Sequence, residues 1–214
     1  MTPVLDQIAS QRVLPVIRST SVEDAVATAR ACAHAGMRVV ELTRSVPDVD
    51  RALEQLRDDE LTLGVGTIGA AAQVKEAAAA GARFVVSFTR PDGFVDRARQ
   101  LGLTAIPGAL TPSEVAACVA DGADAVKIFP ARLVTACYLQ DLRSVLPSVP
   151  LVVTGGVGSS PGELATWLRA GALAVGLGGA LGTVAGVGSD EVERRVRAAL
   201  SQAEQALTGP EATR

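Results

Sequence analysis

The sequence predicts an α/β fold, a closed (β/α)8 barrel of the TIM type preceded by one extra helix, and three observations predict it. Short apolar, β-branched runs alternate with Ala-rich amphipathic runs from one end of the chain to the other, the pattern of parallel strands joined by crossover helices. The strand-like runs begin near Val13, Arg38, Thr62, Arg83, Leu103, Asp124, Pro150 and Leu173, at intervals of 20 to 26 residues, so eight units repeat with one period. No change of composition and no Pro/Gly/Ser-rich linker interrupts the series, which leaves one barrel domain over 1–214 with its core at about 13–207.

Each element has local support. The segment Thr2 to Ser10 reads as the extra helix, placed to cover the barrel bottom. Three helix starts carry capping-box patterns that follow predicted strands: Thr20-Ser21-Val22-Glu23, Thr111-Pro112-Ser113-Glu114 and Ser160-Pro161-Gly162-Glu163. The last two have proline at the first helical position, where a missing N–H costs nothing. The stretch from Ala170 to Ser189 carries no charge, but its glycines make it a strand followed by a turn and not a membrane span. Asp190 to Leu207 reads as the closing helix. In such barrels chemistry belongs at the C-terminal ends of the strands.

Composition narrows the partners. With 48% hydrophobic and 20% charged residues the chain is globular, and 20 Lys+Arg against 23 Asp+Glu give a net charge of −3. No whole-surface field points to nucleic acid or an anionic membrane, so the expected partner is a small molecule. Three cysteines (Cys32, Cys118, Cys137) without CxxC spacing fit a reducing, cytoplasmic compartment. A single histidine, His34, argues against a zinc site, and no metal or cofactor is expected. The N-terminus lacks a basic region followed by an apolar one, so no signal peptide is expected.

The 20 basic residues include only two lysines, Lys75 and Lys127. Lys127 lies inside a strand, Ala125-Val126-Lys127-Ile128-Phe129, on the same face as Ala125 and Phe129. An edge lysine, or one that snorkels from the barrel bottom, is the plain alternative. A closed barrel has no edge, however, and the flanking Val126, Ile128 and Phe129 keep water away. Desolvation favours the neutral, nucleophilic amine that Schiff-base chemistry needs. In the second strand Glu41 shares its face with Val39 and Thr43, which points a carboxylate inward; the alternative is a surface carboxylate at a strand end. A carboxylate near Lys127 favours the ammonium, and the sequence leaves open which effect dominates. Together they supply an amine to form an imine and an acid/base to move protons on the adjacent carbons.

Glycine pairs end the seventh and eighth strands: Gly155-Gly156 after Val152-Val153-Thr154, and Gly178-Gly179 after Val175-Gly176-Leu177. Glycines in turns are common, but both pairs at these two strand ends let backbone N–H groups converge on a phosphate.

These residues resemble the 2-keto-3-deoxy-6-phosphogluconate (KDPG) / 4-hydroxy-2-oxoglutarate (KHG) aldolases, with the 2-keto-3-deoxy-6-phosphogalactonate aldolases close by. The resemblance runs from Val13 to about Leu181 through Leu14-Pro15-Val16-Ile17-Arg18, Val40-Glu41-Leu42-Thr43, Gly64-Val65-Gly66-Thr67, Ile106-Pro107-Gly108, Val126-Lys127-Ile128-Phe129-Pro130-Ala131 and Thr154-Gly155-Gly156-Val157. It implies a class I lyase that releases pyruvate from a 2-keto-4-hydroxy acid, with Lys127 as the Schiff-base lysine and Glu41 as the general acid/base. By the same resemblance Thr67 and Phe129 line a pyruvate pocket with Pro107 nearby, Gly155, Gly156, Gly178 and Gly179 hold a substrate phosphate, and Arg18 contacts an anion. The resemblance also implies a homotrimer, an Entner–Doudoroff type of carbohydrate metabolism, and phosphorylated keto acids and pyruvate as ligands.

The chain departs from that pattern in three places. Gluconate-type members carry arginine four residues after the glutamate, where this chain has Ser45. The Ser-Pro-Gly usual after the fourth strand reads Ser87-Phe88-Thr89-Arg90, and a serine common in the last phosphate turn is replaced by Gly179. Arg44 and Arg90 are the candidates for the missing cation. Two rival readings stand beside the aldolase: a phosphosugar-binding barrel without catalysis, and a phosphate-binding barrel isomerase or synthase that uses Lys127 as a charge.

Overall fold

The computed structural model describes residues 1–158 and 160–208. Helix α1 (Pro3–Gln11) leads into β1 (Val13–Ile17), and strands and helices then alternate: α2 (Val22–His34), β2 (Val39–Thr43), α3 (Val49–Gln55), β3 (Thr62–Ile68), α4 (Ala71–Ala79), β4 (Phe84–Ser87) and α5 (Phe94–Gln100). The second half continues with β5 (Thr104–Ile106), β6 (Gly108–Ala109), α6 (Pro112–Ala120), β7 (Val126–Ile128), α7 (Ala136–Val145), β8 (Leu151–Thr154), α8 (Pro161–Arg169), β9 (Ala174–Leu177), α9 (Val184–Val187) and α10 (Ser189–Thr208). Every predicted strand is present within two residues of its predicted start.

All the strands pair in parallel, in the order β5-β4-β3-β2-β1-β9-β8-β7-β6. The two ends of that order, β5 and β6, are halves of one predicted strand. Pro107 has no N–H to donate and divides it. The first half pairs with β4 and the second with β7, which closes the ring. The Gly108 N–H bonds to the Thr89 carbonyl at 2.8 Å, and the Lys127 N–H to the Pro107 carbonyl at 2.8 Å. A Cβ on Gly108 would lie 2.5 Å from the Phe88 carbonyl carbon, so only glycine permits this crossing of two backbones.

Strand alternation sorts side chains into two cores. One lies between sheet and helices and takes Val40, Leu42, Val65, Val126 and Val175. The other fills the lower lumen with Leu14, Val39, Phe84, Ile106 and Val152, and Leu5 and Ile8 of α1 complete it from below. Helix α1 is therefore the plug the sequence suggested. Thr2 caps it by accepting the Leu5 N–H at 3.3 Å, and Gln11 fastens it by bonding to backbone groups of Val13, Arg38 and Val39.

Of the three capping boxes, the one at Thr111 and Glu114 forms as written. The first is shifted by one residue: Ser21 is the cap and accepts the Asp24 N–H at 3.1 Å. At α8 the Ser160 side chain makes no cap bond to the helix backbone, because Glu163 reaches back to the Gly158 N–H at 2.9 Å instead. The uncharged Ala170 to Ser189 stretch forms β9, a glycine turn and short α9. No helix among the described residues is long and apolar enough to cross a membrane. The closing helix α10 covers the predicted Asp190 to Leu207 with one residue more at each end.

Burial separates the three thiols. It pushes the Cys32 thiol up to about 12 and Cys118 to about 11, while Cys137 is exposed on α7. At pH 8 the first two are protonated and covered, and a protonated thiol is a poor nucleophile. A colorimetric thiol reagent at pH 8 is expected to label Cys137 alone in the native protein and all three cysteines after denaturation; fast labelling of Cys32 in the native state would contradict this packing.

Candidate active site

Strands β2 and β7 stand four places apart in either direction around the ring, so their inward side chains meet across the lumen. Glu41 and Lys127 are those side chains. Lys127 Nζ lies 3.7 Å from Glu41 Oε1, with the two side chains 3% and 1% exposed. Lys127 Nζ also lies 5.5 Å from the centre of the Phe129 ring, within reach of a cation–π contact. Neither oxygen of Glu41 has a hydrogen-bond partner among the described residues. Buried polar groups are nearly always satisfied, so a carboxylate without a hydrogen bond facing an amine marks a functional-site candidate. The inward parity read for both residues holds, and the edge and strand-end alternatives do not.

Glycine makes the room. Gly66 of β3 faces Thr43 in the ladder, and a Cβ there would lie 1.8 Å from Glu41 Oε1. Gly64, opposite Glu41, leaves space for the Phe84 ring, which a Cβ would meet at 2.3 Å. Gly176 of β9 does the same for Thr154 Oγ1, again at 2.3 Å. A strand that keeps its backbone bare on one face makes room there for a neighbour's side chain.

Thr67 sits at the rim, where a register shift between Val65 and Ile68 bulges the end of β3. Its φ of 64° is left-handed, an unusual conformation for a β-branched residue, of the kind that clusters where a side chain must be aimed. Pro107 touches the site through its carbonyl, which holds the Lys127 N–H. Gly155 and Gly156 follow β8 with φ of 99° and 84°. A Cβ on Gly155 would lie 2.8 Å from the Phe129 ring, so this turn is folded onto the pocket wall. Gly178 lies against the Val16 carbonyl, whereas Gly179 has open space around it. Arg18 follows β1 at the mouth, exposed, with no ion pair among the described residues.

Neither candidate for the missing cation faces the lumen. Arg44 pairs with Glu76 of α4 at 2.9 Å, and Arg90 forms a two-pronged bond with Asp121 at 2.6 and 2.7 Å. Each carboxylate belongs to the outer helix layer and draws the guanidinium outward. Ser45 bonds instead to Thr43 Oγ1 at 2.6 Å, and Thr43 Oγ1 reaches the Ile17 carbonyl at 3.1 Å.

Two residues at the mouth escaped the sequence reading. Thr154 is 5% exposed and its Oγ1 has no partner among the described residues. Its signal was available, since it shares parity with lumen-facing Val152. Arg132 lies in the 3-10 turn Ala131–Leu133; its N–H bonds to the Gly155 carbonyl at 3.0 Å, and its stem covers Gly156. No sequence pattern marks a stem packed on a distant glycine.

A lysine and a carboxylate opposed in the dry upper lumen of a (β/α)8 barrel define an enzyme equipped to condense with a carbonyl and move protons beside it. The chain belongs to the KDPG and KHG aldolase family, whose model matches residues 4–198. It is 31% identical over 169 residues to the 2-dehydro-3-deoxy-6-phosphogalactonate aldolase of Escherichia coli, covering 77% of this chain and 82% of that one. It is 32% identical over 160 residues to a 2-dehydro-3-deoxy-phosphogluconate aldolase of Treponema pallidum, covering 73% and 76%. Among solved structures, the KDPG aldolase of Legionella pneumophila, with pyruvate captured as a covalent carbinolamine, superposes with a TM-score of 0.79 at 26% identity over 94% of this chain and 97% of that one.

The space at Gly66 offers a direct check. Gly66→Ala is expected to displace the Glu41 carboxylate and lower kcat by roughly 10²-fold while leaving the far-ultraviolet circular dichroism unchanged. A folded variant with the wild-type rate would show that the carboxylate need not lie there.

Proposed function

We propose that this chain is a Schiff-base aldolase that reversibly cleaves a 2-keto-3-deoxy-6-phospho sugar acid, or 4-hydroxy-2-oxoglutarate, to pyruvate and an aldehyde, glyceraldehyde 3-phosphate or glyoxylate. The observation that carries this reading is the pair itself: an amine and a carboxylate, both buried, 3.7 Å apart across the lumen, with no hydrogen bond to the carboxylate among the described residues. The captured carbinolamine of the Legionella relative supports it.

In the proposed cycle Lys127 Nζ gives up a proton to Glu41 and attacks the C2 carbonyl. Glu41 returns that proton to the carbinolamine hydroxyl, which departs as water and leaves an iminium and a free carboxylate. Glu41, directly or through one water, takes the C4 hydroxyl proton as the C3–C4 bond breaks; its electron pair passes into the iminium to give an enamine, and the aldehyde departs. The proton held by Glu41 returns to C3, and hydrolysis frees pyruvate and the amine. Thr154 Oγ1, buried without a hydrogen-bond partner among the described residues, supplies a hydroxyl to the bound keto acid. Thr67, Phe129 and Pro107 shape the pyruvate pocket, Arg18 meets an anionic group, and Gly155, Gly156, Gly178 and Gly179 form the phosphate cradle. Family membership also motivates a cytoplasmic homotrimer working in an Entner–Doudoroff type of route.

Borohydride reduction in the presence of pyruvate is expected to place one adduct on the peptide that contains Lys127. Lys127→Ala should abolish both adduct and turnover, while Glu41→Gln should keep the adduct and slow turnover by about 10² to 10⁴. An adduct on Lys75, or full activity without Lys127, would overturn the assignment. The cradle has its own test, because the open space at Gly179 admits a side chain. Gly179→Asp is expected to raise KM for the phosphorylated substrate roughly tenfold or more through repulsion, with little change in half-saturating pyruvate.

A further inference from the structure

A carboxylate outside the lumen ties together two of the loops that form the mouth. Asp24 stands half-buried in the first turn of α2, with no cation paired to it among the described residues. Its oxygens are divided: Ser19 Oγ donates to Oδ2 at 2.6 Å, and the Ala185 N–H donates to Oδ1 at 2.6 Å. One turn further along the same helix face Thr28, 1% exposed, accepts the Val184 N–H at 3.0 Å. Val184 and Ala185 open α9, just beyond the Gly178-Gly179 turn, and Ser19 adjoins Arg18.

The loop held in this way is poor at holding itself. Gly178, Gly179 and Gly182 make up half of the six residues between β9 and α9, and each glycine adds backbone freedom that must be lost on ordering. A hydrogen bond to an ionised oxygen is shorter and roughly twice as strong as one between neutral groups. Asp24 places one such bond on that segment, through the Ala185 N–H, and the other on Ser19 of the β1–α2 loop.

We propose that Asp24, seconded by Thr28, is a positioning residue for the phosphate end of the substrate. It fixes the β9–α9 loop so that the Gly178 and Gly179 backbone is preformed for the phosphate, and through Ser19 it sets the height of that loop against the β1–α2 loop that carries Arg18. It touches no reacting atom, and its negative charge is turned away from the phosphate onto two donors. The inference rests on the phosphate-cradle reading given above.

Asp24→Ala is expected to raise KM for 2-keto-3-deoxy-6-phosphogluconate roughly tenfold with kcat within about twofold, the split that marks lost ground-state binding. Half-saturating pyruvate in borohydride trapping, which involves no phosphate, should stay unchanged. Asp24→Asn keeps an acceptor for the Ala185 N–H and a donor for Ser19, so it should restore most of the affinity. Thr28→Val, which removes one acceptor without changing side-chain shape, should move KM in the same direction and serves if Asp24→Ala does not fold. Equal losses for the phosphorylated substrate and for pyruvate would reduce Asp24 to a structural residue and overturn the proposal. An unchanged KM in Asp24→Ala beside a raised KM in Gly179→Asp would overturn the clamp and leave the cradle standing. Unchanged values in both variants would remove the cradle, and the clamp with it.

Discussion

The contact between Lys127 Nζ and Glu41 Oε1 spans the barrel between its two opposite strands, and the upper lumen is organised around it. Two ionisable groups withdrawn from water lose much of their hydration, and their attraction repays this only when the surroundings are well arranged. Here neither carboxylate oxygen has a hydrogen bond among the described residues. A pair kept for stability alone would be expected to complete those bonds. An incomplete pair keeps hydrogen-bonding capacity for a ligand's carbonyl and hydroxyl, which is what the proposed chemistry uses.

Glycine is the counterpart of this pair. Gly64, Gly66 and Gly176 each vacate the lumen face of a strand, and each vacancy is filled by one neighbour: the Phe84 ring, the Glu41 carboxylate and the Thr154 hydroxyl. Bare backbone in a strand weakens it locally. The cost is offset lower in the lumen, where Leu14, Val39, Phe84, Ile106 and Val152 pack against Leu5 and Ile8 of the α1 plug. The barrel lumen is thus apolar below and polar above.

Those loops divide the remaining work. Backbone supplies the turns after β8 and β9, whereas side chains on the outer helices decide where the loops lie. Asp24 and Thr28 hold the last of them, Glu163 occupies the Gly158 N–H before α8, and Arg132 lies over Gly156. Two arginines near the mouth are withdrawn by the outer helix layer, Arg44 by Glu76 and Arg90 by Asp121. Arg18 after β1 and Arg132 after β7 are both exposed.

The repeat of strand and helix, the plug, and the inward parity of Glu41 and Lys127 were legible in the chain because each follows from spacing along one element: period two in strands, amphipathic runs in helices, turn chemistry between them. Pro107 was visible as a residue near the site, but its division of the fifth strand depends on which neighbours each half can pair with. The capping patterns at Thr20 and Ser160 were legible as helix starts, yet the partners chosen by Ser21 and Glu163 were not. The destinations of Arg44 and Arg90, the vacancies at Gly66 and Gly176, and the link from Asp24 to Ala185 join residues remote in sequence. Local pattern alone determined which side chains point inward; only closure of the ring decided which of them meet, because distance across a barrel is set by strand order and packing, to which no single segment has access.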